Sequence, residues 1–301
     1  MERINFKHSV IFFNLCILIS PFYLMLNFEP IILCLFLILI LGISHGALDN
    51  IKGKKLLKMF GYKSTISFYL AYILISLLII IFWIIFPNIV LFLFLIVAAY
   101  HFGKEDTVFS FKRKFLISEC LFFFKGSSVI IAPLLLQRNA TNEIFKILNF
   151  NVFDSAVFSD QFLIVLLCIS FLSSLYISNK KNNNLKGIMI MDFSSLIILN
   201  FFLTPILAFT LYFCFLHSIR HSITLIFELD KSFKSGLKKF INRAIPLTFA
   251  TGVIFLLAIY FLNNFYKLDE AIYKVIFIGL ASLTFPHILL EYLLEKNEKR
   301  T

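Results

Sequence analysis

Residues 66–86 read ISFYLAYILISLLIIIFWIIF, and after Pro87 residues 88–103 continue NIVLFLFLIVAAYHFG. A bilayer's hydrocarbon core is crossed by about 20 apolar helical residues. One helix over 66–103 would be roughly 57 Å long, close to twice what the core needs. Proline breaks a continuing helix but fits a first turn, so Pro87 marks a hairpin of two spans. Inside lipid each span must satisfy its own backbone groups, which helices do.

The same reading extends along the chain. Apolar segments fall at 9–27, 30–48, 66–86, 88–103, 115–136, 162–178, 187–204, 205–223, 245–263 and 272–292, about ten spans in all. Pro30 and Pro205 sit at tight connections like Pro87. Apolar residues make up 60% of the 301, and mean hydropathy is +0.91. The expectation is an all-α, polytopic transmembrane helix bundle, with residues 1–301 as a single integral membrane domain. The apolar run that follows Arg3 and Lys7 has no small-residue cleavage site after it and reads as a retained first span. Cys16, Cys34, Cys120, Cys168 and Cys214 lie in apolar stretches with no CxxC pair, which argues against a disulfide framework or a zinc–thiolate site.

The net charge of +11 reads as a basic cytoplasmic face rather than a nucleic-acid surface. Bases concentrate in alternate connections: Lys52, Lys54, Lys55, Lys58 and Lys63; Lys104, Lys112, Arg113 and Lys114; Lys180, Lys181 and Lys186; Lys231, Lys234, Lys238, Lys239 and Arg243; and Lys296, Lys299 and Arg300. The opposite connections carry only Arg138, Lys146 and Lys267, and the longest, 137–161, reads as an outside loop. Both termini are therefore expected in the cytoplasm.

This orientation, assigned without the histidines, places five of the six near one membrane boundary. His45, His101, His217, His221 and His287 all approach the cytoplasmic ends of outward-to-inward spans. Ionisable groups in a membrane mark function, and neutral imidazole is a metal ligand. His217 and His221 are four apart, the spacing of one helical face. Asp49 follows His45 by four, Glu105 follows His101 by four with Asp106 next, and Glu291 follows His287 by four. At these spacings each acid is expected to orient its own histidine by accepting an imidazole N–H. An all-nitrogen donor set suits Fe, Zn, Cu or Ni, and there is no HExxH pattern. Six histidines are too few for a clustered di-iron desaturase pattern, so one ion is the better fit. A histidine-lined metal or proton transporter, with Asp192, Ser194, Ser195 and Asn200 as further polar groups, and a bis-histidine haem protein are alternatives. His8, beside Lys7, reads as an interfacial residue.

Four pieces, in order, resemble the Brp/Blh-type β-carotene dioxygenases: Gly42 to Asp49 (GISHGALD), His101-Phe102-Gly103 with Asp106, Phe215 to His221 (FLHSIRH) and Pro286-His287. The resemblance implies an Fe(II) enzyme of the cell inner membrane that cleaves the central 15,15′ double bond of β-carotene with O2 to give two all-trans-retinal. It implies His45, His101, His217 and His221 as catalytic iron ligands near the cytoplasmic side. Asp49, Glu105, Asp106, His287 and Glu291 would support them. The lipid bilayer would deliver the substrate, and a retinal-binding opsin would be the product acceptor.

Overall fold

The computed structural model describes residues 2–25, 30–62, 64, 66–107, 117–150, 158–178 and 183–298. Lys63, Lys112, Arg113, Lys114, Lys180, Lys181, Lys299 and Arg300, used above for orientation, lie outside the described residues, as does the side chain of His45. Among the described residues the chain is helical with no strand, and nine helices are long and apolar enough to cross a membrane.

Among the described residues, the expected span 30–48 is not one of these nine. Helix α2 (Ile31–Leu37) passes into a π-helical turn (Ile38–Gly42) and then a 3-10 turn (Ile43–Gly46). The apolar helical stretch Ile31–Gly42 is shorter than the other spans. Gly42 closes the π-helical turn, where a Cβ would lie 2.5 Å from Phe213 Cε1. The expected hairpin is present as α4 (Ile66–Ile85) and α5 (Pro87–Glu105), with Pro87 opening the second helix. The connection 137–161 contains α7 (Arg138–Ile147), where a loop was expected. Its Thr141 is buried and bonds back to the Pro133 and Gln137 carbonyls, so one face of α7 folds inward.

The chain divides into two compact units, residues 1–42 with 95–224 and residues 43–94 with 225–301. In the first, α1 (Glu2–Ile19) packs on α9 (Asn183–Phe202), and α6 (Ile117–Leu136) packs on α8 (Asp160–Ser178). Small side chains permit the second contact: Ser170 of α8 is fully buried, and its hydroxyl donates to the Lys125 carbonyl of α6 at 3.0 Å. The C-terminal half of α5 meets α6 through glycines. A Cβ on Gly103 would lie 1.8 Å from the Phe122 oxygen, and one on Gly126 would lie 1.9 Å from the Ala99 oxygen. This contact fixes the height and rotation of His101, Glu105 and Asp106. After α10 (Pro205–Leu211) the same unit carries a second π-helical segment, Tyr212–Ser218, which leads into α11 (Ile219–Leu229).

In the second unit, α13 (Leu268–Glu298) packs on α3 (Asp49–Met59) and α4, and α12 (Phe233–Leu262) packs on α13 and on the Ile43–Gly46 turn. Leu56, Leu290 and Leu294 form one apolar cluster; Ala47, Leu48, Leu225, Ile226, Phe240 and Ala244 form another. The start of α12 is held by Asp230, which accepts bonds from the Lys239 ammonium, the Ser232 N–H and the Ser235 hydroxyl. Those donors hold its carboxyl below the usual carboxylate range.

Candidate metal centre

In the first unit, α5 and the π-helical segment bring His101 and His217 together, with ring centroids 5.2 Å apart. Both are buried, as is His221 on α11. Phe102 meets the His217 ring edge-on at 4.8 Å, and Phe213 stacks on it at 5.9 Å. These rings leave the His217 imidazole little freedom to rotate.

Two consecutive acids at the end of α5 serve the two histidines of the other segment. Asp106 Oδ1 lies 3.1 Å from His217 Nδ1, and its Oδ2 accepts the Tyr212 hydroxyl at 2.7 Å. Glu105 Oε2 lies 2.9 Å from His221 Nδ1. The sequence spacing had paired these acids with His101. The structure pairs them with histidines more than a hundred positions away. The helix-face rule finds neighbours on one helix only. Here α5 ends at Glu105, and its last acids turn to another helix.

A carboxylate accepts only, so each Nδ1 donates to its acid. In that tautomer of a neutral imidazole the lone pair is on Nε2, the arrangement in which a histidine coordinates a metal. His217 and His221 are therefore residues that could hold a metal ion through Nε2.

The second unit holds the other motifs. His45 lies on the Ile43–Gly46 turn. Asp49 was expected to serve His45, but Ala47 and Leu48 form a turn between them, so the two do not share a helical face. Asp49 instead faces His287, with both carboxylate oxygens 2.9 Å from Nδ1. The Tyr72 hydroxyl lies 3.0 Å from Asp49 Oδ2 and 3.2 Å from the Leu283 carbonyl. Glu291 keeps a looser link to His287, 3.8 Å from Nε2, and takes a closer ion pair with Lys52 at 2.7 Å.

Tyr212, Tyr72, Phe102 and Phe213 were not legible as site residues. In a chain with forty phenylalanines and eleven tyrosines, none stands out by type or spacing. Three of the polar groups of α9 that suggested a transport path are bonded, two within α9 and one to another helix. Ser195 donates to the Met191 carbonyl, Asn200 donates to the Leu196 carbonyl, and Asp192 pairs with Arg220.

Buried histidines whose Nδ1 atoms face carboxylates, set among long apolar helices, define the class: a polytopic helical membrane protein with carboxylate-paired imidazoles among its helices. The chain belongs to the beta-carotene 15,15'-dioxygenase family, whose model matches residues 36–295. It is 29% identical over 275 residues to a beta-carotene 15,15'-dioxygenase from an uncultured marine bacterium, 66A03, covering 88% of this chain and 94% of that protein. No solved structure matches the chain.

Proposed function

We propose that this chain is an Fe(II)-dependent dioxygenase that cleaves the 15,15′ double bond of β-carotene with O2 to give two all-trans-retinal. The observation that carries the reading is the family match over residues 36–295, a span that contains every proposed ligand. The proposed ligands are His45, His101, His217 and His221. The carboxylate-held tautomers of His217 and His221 support it, because they direct Nε2 lone pairs away from the acids.

Iron supplies the activation of O2, which the organic side chains lack. The protein's part is to hold and orient. Asp106 and Glu105 keep the protons of His217 and His221 on Nδ1. Tyr212 fixes the second oxygen of Asp106, and Phe102 and Phe213 hold the His217 ring in plane. The same aromatic packing keeps water away from that side of the imidazole. β-Carotene is an apolar substrate dissolved in lipid, so a polytopic membrane protein can receive it laterally. The balance is simple: one C=C bond and one O2 become two C=O groups.

The lysine distribution supports an inner (plasma) membrane protein with cytoplasmic termini and a metal site near that face. An opsin that binds retinal fits as the acceptor of the product.

The test is expression in cells that accumulate β-carotene, followed by pigment extraction. Loss of orange colour with formation of retinal is expected. Unchanged β-carotene in the presence of folded, membrane-inserted protein would overturn the reading. His217→Ala and His221→Ala should each abolish conversion and lower the iron content of the purified protein.

A further inference from the structure

The N-terminal helix was read as a plain first span, and His8 as an interfacial residue. The helix is one of the nine candidate spans, while His8 turns inward onto a neighbouring helix. His8 is half-buried, and its Nε2 lies 2.8 Å from the Phe215 carbonyl. A carbonyl accepts only, so Nε2 carries the proton. Phe215 lies in the π-helical segment Tyr212–Ser218. In a regular α-helix the Ile219 N–H would bond the Phe215 carbonyl. Here the Ile219 N–H bonds the Cys214 and Leu216 carbonyls instead. The wide turn bypasses Phe215 in favour of its neighbours, and His8 supplies a donor at that carbonyl.

The next residue, Ser9, reaches the same strand of helix five positions later. Arg220 is bidentate to Asp192 of α9, with Nη1 to Oδ2 at 2.7 Å and Nη2 to Oδ1 at 3.0 Å. The Ser9 hydroxyl accepts from Arg220 Nη2 at 2.8 Å and donates to Asp192 Oδ1 at 2.8 Å. Ser9 and Arg220 are almost wholly inaccessible, at 1% and 2% exposure. A guanidinium buried this deeply is held by its partners, because turning away would leave a charge unpaired in a low-dielectric interior. The two anchor points, Phe215 and Arg220, bracket His217, and His221 follows Arg220 directly.

We propose that His8 and Ser9, with Asp192, form a brace that sets the register of the helix carrying His217 and His221, so that these are positioning residues for the metal centre. A π-helical turn is one step out of α-helical register, and such turns recur at functional sites. Without an external hold, this segment could relax to α-helix and rotate His217 away from Asp106. Two of its members, His8 and Ser9, lie N-terminal to the span matched by the family model, residues 36–295. Its catalytic consequence rests on the ligand roles proposed above; the brace itself does not.

Amide hydrogen exchange over residues 212–221 of the full-length, metal-free protein tests the brace. Co(II) titration followed by visible absorption tests its consequence. His8→Leu and Ser9→Ala should each raise exchange in this segment by about fivefold, the order of one ordinary hydrogen bond. Both should also shift the Co(II) bands. His8→Gln, which keeps an N–H donor, should restore both readouts toward wild type. Exchange equal to wild type in His8→Leu and Ser9→Ala overturns the brace. Raised exchange with an unchanged, His217-dependent Co(II) spectrum overturns the positioning role. Raised exchange in a protein whose Co(II) uptake ignores His217→Ala and His221→Ala leaves the brace standing and removes the ligand assignment instead.

Discussion

Asp49 and His287, separated by 238 positions, face each other with both Asp49 carboxylate oxygens 2.9 Å from the imidazole Nδ1. Both are buried, so neither group can turn to water for a substitute. The contact gives His287 the same carboxylate-held Nδ1 that His217 and His221 have. It also ties the start of α3 to the middle of α13, next to Pro286.

Asp49→Asn should therefore act through His287. The amide keeps the shape but halves the accepting capacity facing Nδ1. We expect activity to fall about 10–100-fold, the usual cost of losing a carboxylate behind a functional histidine. A double-mutant cycle with His287→Ala checks the pairing, because residues in one network are non-additive. Additive losses would separate the two residues.

The consecutive acids make a paired prediction. Asp106→Asn and Glu105→Gln should each lower iron affinity about 10–100-fold. Tyr212→Phe should act in the same direction and more weakly, since it removes only one bond to Asp106. Iron stoichiometry of the purified variants under limiting metal is the measurement. Retention of full iron by Asp106→Asn would show that His217 does not depend on its acid.

The glycine contact between α5 and α6 predicts a contrast. Gly126→Ala places a methyl 1.9 Å from the Ala99 oxygen, which must move. Overpacking of this kind costs about 1–3 kcal/mol, and here it also displaces the turn of α5 that bears His101. Gly252→Ala in α12 meets nothing within 4 Å. By helix propensity it should stabilise by up to about 1 kcal/mol. Thermal unfolding in one detergent, measured side by side, distinguishes the two; equal melting temperatures would mean that α5 and α6 do not pack this closely.

The residues themselves settled the membrane fold, because bilayer thickness and backbone hydrogen bonding leave few options for apolar runs of about 20 residues. Pro87 and Pro205 marked their hairpins by the same local physics. Over 30–48 the helix changes type twice, which was not legible because hydropathy reports apolar length and not helical regularity. The histidines were legible as well, since an imidazole in an apolar span is conspicuous by type.

Which acid serves which histidine was not legible. A four-residue spacing identifies neighbours only where the helix is continuous. The turn at Ala47-Leu48 breaks that condition for His45 and Asp49, while at Glu105 and Asp106 the helix ends and its acids turn to another segment. His8, Ser9, Asp192 and Arg220 meet through the packing of α1, α9 and α11, a relation that leaves no period in the chain. One-dimensional order fixed the solvent each segment seeks. Only folding in three dimensions decided the polar pairs, because buried charges take whichever partners the packed helices bring within about 3 Å.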